Sequence, residues 1–175
     1  MAGLRIANTA DAAVRRLCQA VLVITGIALM IALGANVIAR YILEAGGFDW
    51  AQEVPERLFP WFIMAGVALA VQTGEHVAVE TALLLLPRRG AQILLLGGHA
   101  LVVVAYVMLA QSSMEVAEIA AIERSPVLGL TGAHGYWAVA AGCMLLVVGT
   151  ITNMVRVALL GPEGLARDGG ETAVT

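Results

Sequence analysis

The chain of 175 residues has the length of one domain, but 60% of its residues are apolar and only 13% are charged. A soluble domain has about 45–50% apolar residues, and the mean hydropathy here is +0.87. These values exclude a soluble globular domain and indicate an integral membrane protein. All basic residues are arginines, the net charge is −3, and the absence of a basic patch excludes a nucleic-acid-binding protein.

The first long apolar segment covers residues 17–39. As a helix it is about 34 Å long, enough to cross a hydrocarbon core of ~30 Å. Because it is longer than the apolar core of a signal peptide, we interpret it as a retained transmembrane helix. The second predicted span covers residues 50–72, where Asp49 is placed as an N-cap and Pro55 and Pro60 lie inside the helix.

Residues 77–86 are apolar but too few to cross a membrane, so we predict a short interfacial helix after the second span. The third span covers residues 91–111. Its helix is predicted to continue beyond the apolar segment until Ser125-Pro126 interrupts it. The fourth span covers residues 136–156. The sequence therefore predicts an all-α integral membrane protein with four transmembrane helices.

The arginines predict the orientation of these spans, because basic residues concentrate on the cytoplasmic side of membrane proteins. Seven arginines lie on the side of both termini and three lie on the opposite side. The first group is Arg5, Arg15, Arg16, Arg88, Arg89, Arg156 and Arg167, and the second is Arg40, Arg57 and Arg124. We predict a single transmembrane domain over residues 1–160 and a flexible cytoplasmic tail over residues 161–175.

The histidines raise the question of b-type haem, whose bis-histidine ligation needs two histidines at one membrane depth. His76, His99 and His134 are expected at three different depths, which argues against haem. His76 and Glu80 are four residues apart on one helix face, but no further metal ligand lies nearby in the sequence. We expect no metal or other cofactor, and we interpret this pair as a local hydrogen bond or a contact with a partner protein.

The polar residues do not have the pattern expected of an enzyme or of a transporter that works alone. No catalytic motif is present, and the first, third and fourth spans carry no carboxylate at their centres, where transport pathways are usually marked. Polar residues lie instead at the span ends. Those predicted to have a structural role or to contact a partner are Arg40, Trp50, Glu53, Arg57, His76 and Glu80. This distribution favours a helical scaffold packed against another membrane subunit.

Three of these charges have two interpretations. Arg40 ends the first span and Glu53 begins the second at similar depth, while Arg57 follows Glu53 by four residues. In one interpretation all three are solvated interfacial charges. In the other they form a partly buried cluster that clamps the first two helices, with Trp50 as an anchor at the membrane interface. A separate candidate for close helix packing is Gly97-Gly98.

The order of these features resembles the small membrane subunit of tripartite ATP-independent periplasmic (TRAP) transporters, the DctQ-like family. The resemblance rests on Arg40-Tyr41, Trp50, Glu53, Gly66-Val67-Ala68-Leu69, Gly74-Glu75-His76, Glu80 and Leu86-Pro87. It is good over about residues 36–90 and weaker to the end of the chain. The family often has aspartate where Glu80 stands, and Pro55 and Pro60 are less usual there.

The resemblance implies a bacterial inner-membrane protein whose function depends on partners. In that family the small subunit forms a complex with a large permease subunit, which carries the substrate and sodium sites. A periplasmic binding protein delivers an organic acid, often a carboxylate, for sodium-driven uptake without ATP. The small subunit is thought to brace the permease in the membrane lipid and to help dock the binding protein. The alternatives are a cytochrome b-type membrane anchor of a redox enzyme and a small exporter that works alone.

Overall fold

The computed structural model describes residues 2–42, 48–73 and 87–161. Its four helices, in chain order, are α1 (Ala2–Tyr41), α2 (Trp50–Thr73), α3 (Arg88–Ala120) and α4 (Ala133–Leu160). Each helix is long and apolar enough to cross a membrane. Within the described ranges there is no strand, only an isolated bridge between Arg124 and Thr131. The predicted all-α fold with four spanning helices is confirmed.

Two of the helices are much longer than a bilayer requires. α1 contains 40 residues and is about 60 Å long, and α3 contains 33 residues and is about 50 Å long. The predicted helical extension after the third span is therefore present, and it ends at Ala120. The predicted interfacial helix at residues 77–86 and the predicted tail beyond residue 161 lie outside the described residues.

α4 occupies the centre of the bundle. It packs against α1, α2 and α3, whereas α3 has no comparable contact with α1 or α2. More than half of the most apolar stretch of α4 is buried, but less than a fifth of the corresponding stretch is buried in each of the other helices. α1, α2 and α3 therefore surround α4 and leave long apolar faces exposed, as helices in contact with lipid or with another membrane subunit do.

α2 and α4 approach each other closely at Gly142, which faces the Met64 side chain. A Cβ added to Gly142 would lie only 2.7 Å from the Cβ of Met64, closer than any real contact. Small residues at such positions allow two helices to pack at short distance, where van der Waals contacts are numerous. At Gly97-Gly98, the predicted site of close packing, no neighbouring helix that the structure describes comes close. A Cβ added to either glycine would meet no described atom within 4 Å.

Small and medium apolar side chains fill the space between α1, α2 and α4. Cys18 and Val14, early in α1, pack with Ala65 and Ala68, late in α2, and with Leu146 of α4. This pairing of an early segment with a late one shows that α1 and α2 run in opposite directions. Both cysteines of the chain, Cys18 and Cys143, are buried free thiols.

Candidate functional site

The first polar group of the bundle surrounds Glu53, in the first turn of α2, and we call it the Glu53 cluster: Glu53, Arg57, Ser125 and the backbone of residues 127–131. The Glu53 carboxylate accepts hydrogen bonds from the Ser125 hydroxyl, from the Val127 N–H at 3.1 Å and from the Leu128 N–H at 2.9 Å. The Glu53 residue is only 9% exposed. One carboxylate therefore holds the α3–α4 loop against α2.

Arg57 adds a second connection one turn further along α2. Its Nη1 donates to the Thr131 carbonyl oxygen at 3.1 Å, and its Nη2 lies 3.8 Å from the exposed carboxylate of Glu56. The Arg57 Nε is buried and has no hydrogen-bond partner among the described residues. Arg57 and Glu53 thus contact opposite ends of the same loop segment.

The loop between α3 and α4 has its own internal hydrogen bonds. The Ser125 N–H donates to the Leu130 carbonyl oxygen at 2.9 Å, and the Gly132 N–H donates to the Glu123 carbonyl oxygen at 3.0 Å. Gly129 has a φ of 64°, a left-handed conformation that glycine adopts without steric cost. These bonds make a compact turn whose inward-facing N–H groups meet the Glu53 carboxylate.

The structure separates Arg40 from this group. The Arg40 guanidinium is exposed and lies 5.7 Å from the centre of the adjacent Tyr41 ring. Within residues 2–42, 48–73 and 87–161 no ion pair joins it to Glu53. The predicted Arg40–Glu53–Arg57 clamp between the first two helices is therefore not formed, because the Glu53 carboxylate is directed towards the α3–α4 loop.

The end of α1 and the start of α2 are joined in another way. Asn36 Oδ1 accepts a hydrogen bond from the Phe48 N–H at 3.0 Å, and the Phe48 ring stacks on Trp50 at 5.3 Å between ring centres. Trp50 is partly exposed, which suits its predicted role as an interfacial anchor. The remaining two candidates, His76 and Glu80, lie outside the described residues.

A second polar group lies at the opposite end of the bundle, and we call it the Asp11 cluster: Asn8, Asp11, Thr152, Asn153 and Arg156. Asp11 forms an ion pair with Arg156 and accepts a hydrogen bond from the Thr152 hydroxyl at 2.7 Å. Arg156 also donates to Asn8 Oδ1 at 3.1 Å and to Asn153 Oδ1 at 3.4 Å. Because Asp11 is 5% exposed and Arg156 is 8% exposed, this is a buried connection between α1 and α4.

The sequence offered little to reveal either cluster. Asp11 lies four residues before Arg15, so a helix pattern suggests that pair rather than Asp11–Arg156, which spans most of the chain. In the sequence Ser125 stands out only as part of a helix-breaking Ser-Pro pair. One available signal is that Asp11 is the only acidic residue in residues 1–43.

The two described histidines make local hydrogen bonds. His99 Nδ1 lies 2.7 Å from the Leu95 carbonyl oxygen within α3, and His134 Nδ1 lies 2.9 Å from the Thr131 carbonyl oxygen at the start of α4. In the part of the chain that the structure describes, no three His, Cys, Asp or Glu residues are grouped as metal ligands.

Comparison with known proteins adds two findings. The family described as "Tripartite ATP-independent periplasmic transporters, DctQ component" matches residues 29–160, well over half of the chain. A similar protein, named "Uncharacterized protein y4mM", occurs in Sinorhizobium fredii (strain NBRC 101917 / NGR234). It is 42% identical over 141 residues, which are 81% of this chain and 26% of the relative. The chain thus spans about a quarter of that relative's length.

Proposed function

Because the chain belongs to the DctQ component family of TRAP transporters, we propose that it braces a large permease subunit in the bacterial inner membrane. A member of this family is a component of a transporter and not an enzyme. In the proposed complex the large subunit carries the substrate and sodium sites, and a periplasmic binding protein delivers an organic acid that carries a carboxylate group.

The arrangement of charge in the bundle carries this proposal. Among the residues that the structure describes, the buried carboxylate and arginine side chains belong to the Glu53 and Asp11 clusters, at opposite ends of the bundle. Both clusters join helices to each other or to a loop, and the apolar centres of α1, α3 and α4 contain no carboxylate. Such a bundle lacks, at these centres, the carboxylates that often mark an ion or substrate pathway, which supports a bracing role.

Reconstitution into proteoliposomes tests this role. Three preparations are compared, containing this chain, the large subunit, or both, each with a sodium gradient and the loaded binding protein. We expect sodium-dependent uptake only when both subunits are present. Uptake by this chain alone, or full uptake by the large subunit without it, would contradict the bracing function.

The proposed orientation places both termini in the cytoplasm. Arg15, Arg16 and Arg156 line one cleft at a single end of the bundle, and Gln92, early in α3, donates from Nε2 to the Val157 carbonyl oxygen at 3.1 Å near that end. At the other end Arg57 contacts the α3–α4 loop. The excess of arginine at the first end supports its placement on the cytoplasmic side.

The same orientation directs the α3–α4 loop towards the periplasm, and we assign docking of the binding protein to this loop. Ile122, Val127 and Leu128 expose apolar side chains there, while the Glu53 cluster fixes the loop backbone. An Ile122→Ser variant should raise the concentration of binding protein needed for half-maximal uptake without lowering the amount of assembled complex. An unchanged concentration dependence would exclude Ile122 from the docking surface.

A further inference from the structure

A cleft of about 370 Å³ opens between α1 and α4 at the arginine-rich end of the bundle. Its lining includes Asn8, Asp11, Arg15, Arg16, Gln19 and Arg156. We propose that this cleft binds the phosphate of an anionic phospholipid, with the acyl chains of that lipid lying along α1. Since a water molecule occupies about 30 Å³ in the liquid, the cleft has room for a phosphate and part of its glycerol.

The ion pairing within the cleft leaves an excess of positive charge. The two carboxylate oxygens of Asp11 are occupied by Arg156 and by the Thr152 hydroxyl. The negative charge of Asp11 is therefore balanced by Arg156 and is not available to Arg15, although Arg15 is only one helical turn away. Arg15 and Arg16 have no acidic partner among the described residues, so a phosphate monoanion meets two uncompensated guanidinium groups.

The donors around the cleft match the chemistry of a phosphate ester. Arg15 and Arg16 are exposed on α1, and a guanidinium can donate two parallel hydrogen bonds to phosphate oxygens. Gln19 carries an amide on the same helix, one turn after Arg15 and Arg16. Basic pockets between transmembrane helices at the membrane surface are known to bind lipid headgroups in this way.

An apolar strip on α1 distinguishes a lipid from a free phosphate ion. The strip continues the helix face of Arg16 and Gln19 and consists of Val23, Ile27 and Met30. All three residues are exposed and follow Gln19 at intervals of three or four positions, so they form one face that continues from the cleft. An acyl chain gains contacts along this face, whereas an inorganic ion gains none.

Native mass spectrometry of the purified full chain in detergent tests the assignment. The wild type is mixed with phosphatidylglycerol or with phosphatidylcholine, and the fraction of protein that retains one lipid is measured. The test variant is Arg15→Gln/Arg16→Gln. The matched control is Arg88→Gln/Arg89→Gln, which removes the same charge from exposed residues at the start of α3, outside the cleft lining.

We expect the wild type to bind phosphatidylglycerol more tightly than phosphatidylcholine. The test variant loses both guanidinium groups that would donate charge-assisted hydrogen bonds to the phosphate, so it should bind phosphatidylglycerol roughly 30-fold more weakly, which corresponds to ~2 kcal/mol. The control should retain most of the affinity, because Arg88 and Arg89 lie outside the cleft lining. They could attract the lipid only through a charged membrane surface, which a detergent micelle does not have. Circular dichroism verifies that both variants keep the helical content of the wild type.

Three results would overturn the proposal. Equal retention of the two lipids would show that the cleft does not select an anionic headgroup. An equal loss in the test and control variants would show that net charge, and not the cleft, binds the lipid. Complete displacement of phosphatidylglycerol by millimolar inorganic phosphate would assign the cleft to a free ion. None of these results depends on transport, so they are distinct from a failure of the bracing function.

Discussion

The buried ion pair between Asp11 and Arg156 gives the most informative test of how the bundle is held together. Asp11→Asn keeps the size of the side chain and an acceptor for the Thr152 hydroxyl, but it removes the charge that faces the guanidinium. Arg156→Gln removes the guanidinium and leaves the Asp11 carboxylate buried with Thr152 as its neighbour. Each single variant therefore strands one buried polar group between α1 and α4.

The burial of the pair sets the size of the expected effect. Removing one member of a buried ion pair costs ~3–5 kcal/mol in soluble proteins, whereas polar interactions in membrane bundles average ~0.6 kcal/mol. Asp11 and Arg156 are 5% and 8% exposed, but Asn8 and Asn153 still accept hydrogen bonds from Arg156 when the aspartate is changed. We therefore expect each single variant to lose ~2–3 kcal/mol, between these two limits.

A double-mutant cycle measures the coupling directly. The free energy of unfolding is obtained by titrating the full chain in mixed micelles with a denaturing detergent. The double variant should be more stable than the sum of the single effects predicts, with a coupling of ~1–2 kcal/mol. Arg15→Gln is the control, because Arg15 is an exposed arginine one turn from Asp11 on the same helix. It should change the free energy of unfolding by no more than ~0.5 kcal/mol.

The opposite pattern of coupling would contradict the pairing of Asp11 with Arg156. If Asp11 couples to Arg15 while the effects of Asp11 and Arg156 simply add, the aspartate pairs within its own helix in the membrane. The connection between α1 and α4, and the charge excess in the cleft beside it, would then both be absent.

Three further predictions address the rest of the bundle. Glu53→Gln should accelerate hydrogen exchange of the α3–α4 loop, because the NH2 group of glutamine cannot accept the hydrogen bonds that the second carboxylate oxygen accepts. Glu56→Gln, which changes an adjacent exposed carboxylate, is the control and should leave the exchange rate unchanged. Equal effects of the two variants would contradict the Glu53 cluster. Gly142→Ala should destabilise the bundle by ~1–3 kcal/mol through overpacking against α2, while Gly97→Ala should not; thermal unfolding compares them. A reporter fused after Thr175 should be active only in the cytoplasm, and periplasmic activity would reverse the proposed orientation.

The helical spans could be predicted from the sequence because they depend on local composition. A run of about 20 apolar residues must form a helix in a bilayer, since no water is present there to satisfy the backbone. This holds whatever the neighbouring helices are, and all four predicted spans lie within α1 to α4. The extension of the third helix follows from local properties as well, because its residues favour a helix beyond the apolar segment.

The partners of the charged residues depended on the tertiary structure. The sequence allows Arg40 and Glu53 either to pair or to stay solvated interfacial charges, whereas in the structure the Glu53 carboxylate binds the loop after α3, more than 70 residues away in the chain. Asp11 likewise pairs with Arg156 rather than with nearby Arg15. The sequence determines which residues of its own helix a charged side chain can reach. It does not determine which of several neighbouring helices the side chain faces, and this is decided by the packing around α4.

The same distinction applies to the close contact between α2 and α4. Gly142 and Gly97-Gly98 are equivalent as sequence signals, since each places small residues in an apolar helix. Of these glycines, Gly142 alone meets a neighbouring helix among the described residues, at the Met64 side chain of α2, because the central α4 is surrounded by helices while α3 lies at the edge of the bundle. Apolar length and composition determine that a helix crosses the membrane, whereas its rotation and neighbours determine which side chains touch, and these arise only when the helices pack together.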